Sequence, residues 1–417
     1  MHLLVITQYF WPENFRINDL VADFVRRGHQ VTVLTGVPNY PEGQVFEDYR
    51  RNPSGFDGYA GARVVRVPML SRGHGAVRLV LNYFSFALSA ALCGAWRLRK
   101  GEFDAILVYE PSPVTVGIPG AVLRWLTRAP MAFWVLDLWP ETLKAVGTVR
   151  SSWGLRLVGF MVQWIYRRCD LILAQSKRFI PQIRAYAGNS QRIVYFPSWA
   201  EALFVQNDKL PPAMEVNPVP GSFTVMFAGN IGEAQDFPGI LEAAQRIKNS
   251  HPHIRWIVLG DGRMKPWVVQ ELAARQLTHC IHMLGRFPVE RMPSFFMRAD
   301  ALLVCLKKEP IFAMTIPGKL QSYLAVGRPI VAMLDGEGAD LLNDSGAGLT
   351  CPAGDAAGLA NAVVRLSEMN EVERAEMGRK GLALYEQEFE RSMLLGRLET
   401  WIHQMVVKSP DETERLQ

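Results

Sequence analysis

The sequence predicts an α/β protein with two doubly wound parallel-sheet domains, and two patterns predict it. Short apolar runs of strand length alternate with helical stretches, and the alternation runs through twice. Between the two series lies one proline-rich, polar segment, from about Pro197 to Gly221, that reads as a connection between domains. Such alternation marks βαβ units and a mainly parallel sheet. The chain of 417 residues is long enough for two or three domains at roughly 150 residues each. Domains over 1–196 and 197–390 are therefore expected.

In order, the first-half strands are expected at Leu3–Thr7, Gln30–Thr35, Val64–Val67, Ala105–Tyr109, Ala132–Leu136, Leu171–Ala174 and Ile193–Phe196. Helical segments such as Asn18–Arg27 and Trp153–Arg168 lie between them. The second series comprises Phe223–Ala228, Arg255–Leu259, Ile281–Leu284, Ala301–Cys305 and Ile330–Met333, with helices at Gly239–Lys248 and Leu359–Leu366. From about Val372 the chain reads as nearly continuous helix with a polar tail.

Hydrophobic residues make up 49% and charged residues 20%, as in globular proteins with sizeable cores. The net charge of +5 is spread along the chain; it suits an anionic ligand or membrane surface, and no nucleic-acid motif accompanies it. The five cysteines are scattered in apolar surroundings without metal-ligand spacing, so they read as buried thiols in a reducing compartment. The apolar N-terminal run is too short for a secretion signal and reads as a first strand, which places the protein in the cytoplasm. Leu79–Trp96 is uncharged and bordered by Arg78, Arg97, Arg99 and Lys100, a length marginal for a membrane span. A spanning helix would separate strands that should share one sheet. The expectation is a domain helix, either dipping into a membrane surface with its arginines near anionic head groups or wholly buried as a crossover.

Ligands of doubly wound folds bind at the carboxyl ends of strands, so the chemistry-bearing residues should follow the strands. After the first comes Gln8-Tyr9-Phe10-Trp11-Pro12-Glu13-Asn14-Phe15-Arg16-Ile17-Asn18, either a site for sugar hydroxyls or phosphate or a helix-capping loop. Asp137 ends an apolar run, where an unpaired carboxylate would be costly, so a functional acid is expected there; Pro140 and Glu141 suit a helix start. In the second half, Gly229-Asn230-Ile231-Gly232 with Gln235, Gly260-Asp261-Gly262-Arg263 and Gly285-Arg286-Phe287 follow successive strands. Small residues there let backbone amides approach a diphosphate. Thr315-Ile316-Pro317-Gly318-Lys319-Leu320-Gln321 then places Lys319 at a helix start, where a point charge and the helix dipole act together. One such turn is a weak signal; four in one domain point to a nucleotide diphosphate.

These residues carry a resemblance across nearly the whole chain. The sequence resembles the GT-B-fold retaining glycosyltransferases of family 4, and within them bacterial O-antigen and capsule enzymes of the N-acetyl-fucosamine-transferase type. The matching pieces are Tyr9–Glu13 with Arg26–Val31, Asp137–Glu141, Gly229–Gly232 with Gln235, Gly260–Gly262 and Pro317–Pro329. The resemblance implies two Rossmann-like domains facing a central cleft, with a C-terminal helix, about 391–417, crossing back to the first. It further implies metal-independent transfer with retention, without a cofactor, from a UDP-sugar to an acceptor. That acceptor is expected to be a polyprenyl-diphosphate-linked saccharide at the inner face of the membrane, where the protein would be peripheral. Asp137 falls where the family keeps an acid or histidine facing the sugar, and Glu13 joins it as a catalytic candidate. Donor candidates are Gly229, Asn230, Gly232, Gln235, Arg263, Phe287, Thr315, Gly318, Lys319 and Gln321; acceptor candidates are Asn14, Arg16, Asn18 and Glu110. No metal ligand is expected.

One departure matters. The family's two glutamates, eight positions apart, fall here at Met314 and Ser322. Thr315, Gln321 and backbone amides are expected to hold the hydroxyls instead, and Lys319 and Arg263 the diphosphate. Two other functions compete: a nucleotide-sugar 2-epimerase, which needs no acceptor, and an inactive nucleotide-sugar-binding member, which the missing glutamates favour.

Overall fold

The computed structural model describes residues 1–73, 75–145, 149, 151–205 and 210–407. The chain divides into two compact units, Met1–Phe196 together with the segment from Leu395, and Pro197–Leu394.

The first unit is built on strands β1 (His2–Ile6), β2 (Gln30–Gly36), β3 (Gly58–Tyr59), β4 (Ala62–Val67), β5 (Ala105–Glu110), β6 (Met131–Val135), β7 (Leu171–Ala174) and β8 (Arg192–Tyr195). Their order in the sheet is β3-β4-β2-β1-β5-β6-β7-β8. All neighbours are parallel except the two-residue β3, which pairs antiparallel with β4. Val5 sits between Val33 and Leu107, and β1, β5 and β6 are buried almost throughout. That is why they read as unbroken apolar runs rather than alternating ones. The helix Arg16–Arg26 buries Ile17, Leu20, Val21 and Phe24, one stripe at 3.6-residue spacing. It is followed by Gly28 at φ +88°, the left-handed turn that favours glycine.

The apolar stretch forms a helix, Ala76–Ser89, that runs on through a π-helical turn at Ala90–Gly94 to Leu98. From Val77 to Leu98 it is long and apolar enough to cross a membrane by length and composition alone. Its inner face packs on the sheet, however. Asn82, Phe86, Ala87 and Ala90 are buried, and a Cβ on Gly94 would lie 2.9 Å from the Leu34 side chain. Asn82 is the anchor. Its Oδ1 accepts from Gln8 Nε2 at 2.7 Å, and its Nδ2 donates to the Leu70 carbonyl at 2.6 Å. The Tyr9 hydroxyl donates to the same Oδ1 at 3.3 Å.

The second unit carries β9 (Phe223–Ala228), β10 (Ile254–Leu259), β11 (Ile281–Gly285), β12 (Ala301–Cys305), β13 (Ile330–Met333) and β14 (Gly348–Cys351). They form a wholly parallel sheet in the order β11-β10-β9-β12-β13-β14. Between β9 and β12 the ladder is short, pairing Val225 with Ala301 and Met226 with Leu302. The sequence direction reverses there, which makes it the switch point of the sheet.

The expected continuous C-terminal helix is broken. Helix Glu371–Leu384 passes through a π-helical turn, Tyr385–Phe389, and stops at Glu390 before Arg391–Val407 begins. The Glu390 carboxylate accepts from the amides of Ser392 and Met393 at 2.8 and 2.6 Å, capping the new helix. Past Leu395 that helix docks on the first unit. Glu399 pairs with Arg27 at 3.0 Å and His29 at 2.8 Å, and Trp401 meets Phe196 edge-on. The expected polar tail, 408–417, lies outside the described residues.

Replacing Asn82 with alanine strands the Gln8 amide and Tyr9 hydroxyl in a dry interior. Asn82→Ala is expected to cost about 1–3 kcal/mol, read as a lowered midpoint in urea unfolding followed by tryptophan fluorescence. An unchanged midpoint would show that the helix is held by its apolar face alone.

Candidate functional site

At the carboxyl ends of β1 and β2 the loop Gln8–Asn18 is organised by Glu13, which is 3% exposed. Its Oε1 accepts from the amides of Asn39 and Tyr40 at 2.7 and 2.6 Å, and its Oε2 from Phe10 at 3.1 Å. Burial pushes the Glu13 carboxyl up to about 7, against the opposing pull of those three amides and the nearby Arg66. Both oxygens are thus taken by backbone. In this structure Glu13 braces two loops and does not present a free carboxylate to a reacting sugar, which corrects its assignment as a catalytic candidate. Asn18 is corrected likewise. Its Nδ2 donates to the Glu13 carbonyl at 2.6 Å and its Oδ1 accepts from Trp11 at 3.1 Å. Asn14 is exposed. Arg16 is half-buried, and its backbone amide bonds the Tyr109 hydroxyl, whose pKa burial raises.

Asp137 follows β6 and is half-buried. Its Oδ1 accepts from Thr142 Oγ1 at 2.6 Å and its Oδ2 from Trp139 Nε1 at 3.0 Å, with Ser112 a third donor. Burial raises its pKa, and these hydrogen bonds pull it back toward the carboxylate. Beneath it, Glu110 at the end of β5 is fully buried. Glu110 Oε2 accepts from the Asp137 amide at 3.4 Å, and Oε1 has no partner. Burial first, and the Asp137 charge second, lift the Glu110 pKa well above the usual carboxylate range. With no surface to offer, Glu110 supports Asp137 from below and cannot bind an acceptor directly, a correction to the sequence reading.

In the second unit three strand-end turns are locked together by glycines. A Cβ on Gly260 (φ +138°) would lie 1.8 Å from the Gly229 carbonyl, and one on Gly262 (φ +157°) 2.4 Å from the Ile231 carbonyl. Ile231 donates to the Asp261 carbonyl at 2.8 Å, and Gly260 to Gly285 at 2.7 Å. Any side chain at Gly260 would force the turns apart. Lys319, on the helix Gly318–Val326, closes this group. Its Nζ donates to Gln235 Oε1 at 2.6 Å and lies 3.7 Å from the Phe227 ring centroid. A Cβ on Gly229 would sit 3.2 Å from the same Nζ. No carboxylate pairs with this ammonium among the described residues. Its burial lowers the pKa from 10.5 to about 7.

Gly229, Asn230, Gly232, Gln235 and Lys319 are thus together, with Gly318 exposed at the helix start and Arg263 exposed beside Gly262. The Phe287 ring meets that of Phe295 at a tilt of 49°, with centroids 4.6 Å apart. Two residues expected to replace the glutamates point elsewhere. Gln321 is 2% exposed and its amide nitrogen donates to the carbonyls of Pro317 and Gly318 at 2.9 and 3.0 Å. Thr315 Oγ1 donates to the Ile311 carbonyl at 2.8 Å. Both side chains are spent on their own helices.

Sequence reasoning passed over Tyr323. Its hydroxyl accepts from the Ala228 amide at 2.9 Å and bonds the Ala228 carbonyl at 3.2 Å. It thereby supplies at the end of β9 what the short β9–β12 ladder does not. The available signal was its spacing, one helical turn after Lys319. Among the described residues no group of three or more His, Cys, Asp or Glu is placed to hold a metal ion.

Comparison with known proteins fits this arrangement. Residues 14–199 match the glycosyl transferase 4-like domain, and residues 222–369 the group 1 glycosyl transferases. The chain is 24% identical to the probable glycosyltransferase WbjE of Pseudomonas aeruginosa, over 72% of this chain and 73% of that protein. It is 22% identical to WcaI of Escherichia coli K12, named as a colanic acid biosynthesis glycosyl transferase, over 78% and 82%. The crystal structure of Anabaena Alr3699/HepE with UDP and glucose superposes with a TM-score of 0.66 at 13% identity, covering 96% of this chain and 99% of that one. The fold is GT-B.

Because the Tyr323 hydroxyl serves both polar groups of Ala228, Tyr323→Phe is expected to destabilise the second unit by about 1–3 kcal/mol. The Ala228 amide, which donates to that hydroxyl, would also lose protection in hydrogen exchange, and exchange at parental rates would deny Tyr323 this role.

Proposed function

Starting from a GT-B-fold glycosyltransferase that joins a 4-like domain to a group 1 domain, we propose that it moves a sugar from a UDP-sugar to a polyprenyl-diphosphate-linked saccharide, with retention, in bacterial surface polysaccharide synthesis. The donor sugar in this reading is an N-acetylated amino or deoxy-amino sugar of the kind the N-acetyl-fucosamine transferases use. The protein works at the inner membrane face as a peripheral enzyme. One observation carries the donor assignment: an enclosed ammonium, Lys319, without a carboxylate, at the amino end of a helix and against the turn of Gly229. That environment lacks one negative charge, and a nucleotide diphosphate supplies it. The bound UDP of the HepE structure supports the choice of nucleotide.

As the glycosidic bond to the diphosphate breaks, negative charge grows on the leaving group. Lys319, the free amides of its helix and the exposed Arg263 meet that charge, so no metal enters this reading. Departure on the front face lets the diphosphate assist removal of the incoming hydroxyl's proton. Asp137, its carboxylate held by Thr142 and Trp139, positions the sugar and offers electrostatic support. Glu110 and Glu13 hold that loop and its neighbour in place.

Two outcomes test this. UDP-sugars should raise the melting temperature and GDP-sugars should not, and labelled donor should pass into extracted lipid. Conversion of donor without acceptor would mean an epimerase. Asp137→Asn should lower kcat at least about tenfold with donor affinity kept; near-parental turnover removes Asp137 from the reaction.

The Lys319 proton gives a pH test. The folded protein releases it near pH 7 and the unfolded chain near 10.5, so the unfolded state holds more protons in between and Lys319's contribution to stability rises with pH across that window. Donor affinity runs the other way, because the diphosphate needs the ammonium. It should fall as pH rises through about 7, and Lys319→Met should abolish that slope while weakening binding at least about tenfold. A slope that survives in Lys319→Met would assign the titration to another group.

A further inference from the structure

Thirteen of the twenty-one large hydrophobic side chains exposed among the described residues lie on three helices of the first unit: Val77–Leu98, Gly117–Thr127 and Ser152–Tyr166. Scattered exposed apolar residues need no explanation, but a contiguous group does. These three helices are neighbours. They connect β4 to β5, β5 to β6 and β6 to β7, so right-handed crossovers put them on one face of the sheet, and the middle one packs against both others.

Their outward residues are periodic. On the first helix Val77, Leu81, Phe84, Leu88 and Leu92 are each 48% exposed or more. On the third, Trp153, Leu157, Phe160 and Trp164 are each at least 40% exposed. Every helix also carries an exposed tryptophan near its carboxyl end, followed by cations. Trp96 precedes Arg97, Arg99 and Lys100; Trp125 precedes Arg128; Trp164 precedes Arg167 and Arg168. Arg168 lies over the Trp164 ring at 4.0 Å and Arg99 over Trp96 at 4.9 Å. None of the three helices contains an aspartate or glutamate. Beside Trp96 opens a cavity of about 850 Å³ whose lining sets Arg63, Arg66, Arg97, Arg99 and Lys100 against a single carboxylate, Asp57. No carboxylate pairs with Arg63, Arg97, Arg99 or Lys100 among the described residues.

We propose that this three-helix face binds an anionic phospholipid bilayer, its apolar ridges entering the acyl boundary, its tryptophans at the interface and the cavity beside Trp96 taking a lipid phosphate. Charge decides the occupant. An apolar face of this kind on a protein partner or a second copy would not require three helices that hold no carboxylate and are each followed by cations. A bilayer of anionic lipid favours both, since tryptophan prefers the interface and surface cations are drawn to anionic head groups. The proposal deepens the peripheral-membrane reading by saying which surface is used and what it recognises.

The experiment is flotation of the full chain with vesicles of phosphatidylcholine alone or mixed with phosphatidylglycerol, without donor or acceptor. Failure here therefore leaves the transferase reading untouched, and donor binding is followed separately. The chain should float with mixed vesicles, with a blue shift of tryptophan emission, and bind neutral ones at least about tenfold more weakly. Arg97→Glu with Arg99→Glu and Lys100→Glu should lower partitioning at least about tenfold, and Phe84→Ser with Phe160→Ser should lower it while UDP-sugar binding persists. Soluble glycerol phosphate should not compete as well as vesicles. Equal binding to both vesicles, unaffected variants, or self-association that buries the tryptophans without lipid would overturn the proposal. Should a variant fold poorly, loss of wild-type flotation with rising salt still decides for it, and salt-independent flotation against it.

Discussion

A parallel sheet covered on both faces leaves its strand ends as the place where polar chemistry can stand. Both units obey this constraint. β1, β5, β6 and β9 are buried along almost their whole length, and the first charged or amide groups at or just past their ends are Gln8, Glu110, Asp137 and Asn230. What those groups then do depends on how much water reaches them. Glu13 and Glu110 are swallowed and become braces. Asp137 stays half-open, with its oxygens oriented by Thr142 and Trp139. Lys319 is enclosed but uncompensated. Near the strand ends a carboxylate becomes a support or an oriented acid according to its depth, and the helix start that carries Lys319 adds a cation without a paired carboxylate.

The glycine turns of the second unit follow from a related demand. Three consecutive strands end so close together that Gly260 abuts the Gly229 carbonyl and Gly262 the Ile231 carbonyl. Backbone takes the place side chains would fill, and Gly229 lies against the Lys319 ammonium. Sheet geometry and ligand chemistry agree here, since a turn without Cβ atoms is both what close packing needs and what a diphosphate can approach.

Strand positions were largely legible because buried parallel strands are written as plain apolar runs. The two strands overlooked, Gly58–Tyr59 and Gly348–Cys351, are short and carry glycine, so neither period nor composition announces them. The break at Glu390 was hidden because a glutamate is a good helix former; only its capping of Ser392 and Met393 makes it a stop. In the candidate site, side chains whose job is set by charge could be read, and those set by helix rotation could not. Lys319 and Gln235 lie in separate motifs yet meet at 2.6 Å. Gln321, two positions from Lys319, turns toward its own helix start, and Tyr323, four positions on, reaches Ala228. Asn82 is a lone amide in an apolar run, and its meaning emerges only when Gln8 is seen beside it.

The course of the last helix has a consequence for how the chain can be divided. Leu395, Leu398 and Ile402 are fully buried, and they belong with the unit whose other residues end at Phe196. The second unit is therefore an insertion into the first, with both of its ends tied. A fragment stopped at residue 196 would not be a domain but a domain with a hole along one side, exposing Arg27, His29 and Phe196 that Glu399 and Trp401 otherwise cover. Separate expression of the first unit calls for a chain with the insertion deleted, in which the final helix is spliced directly after the eighth strand.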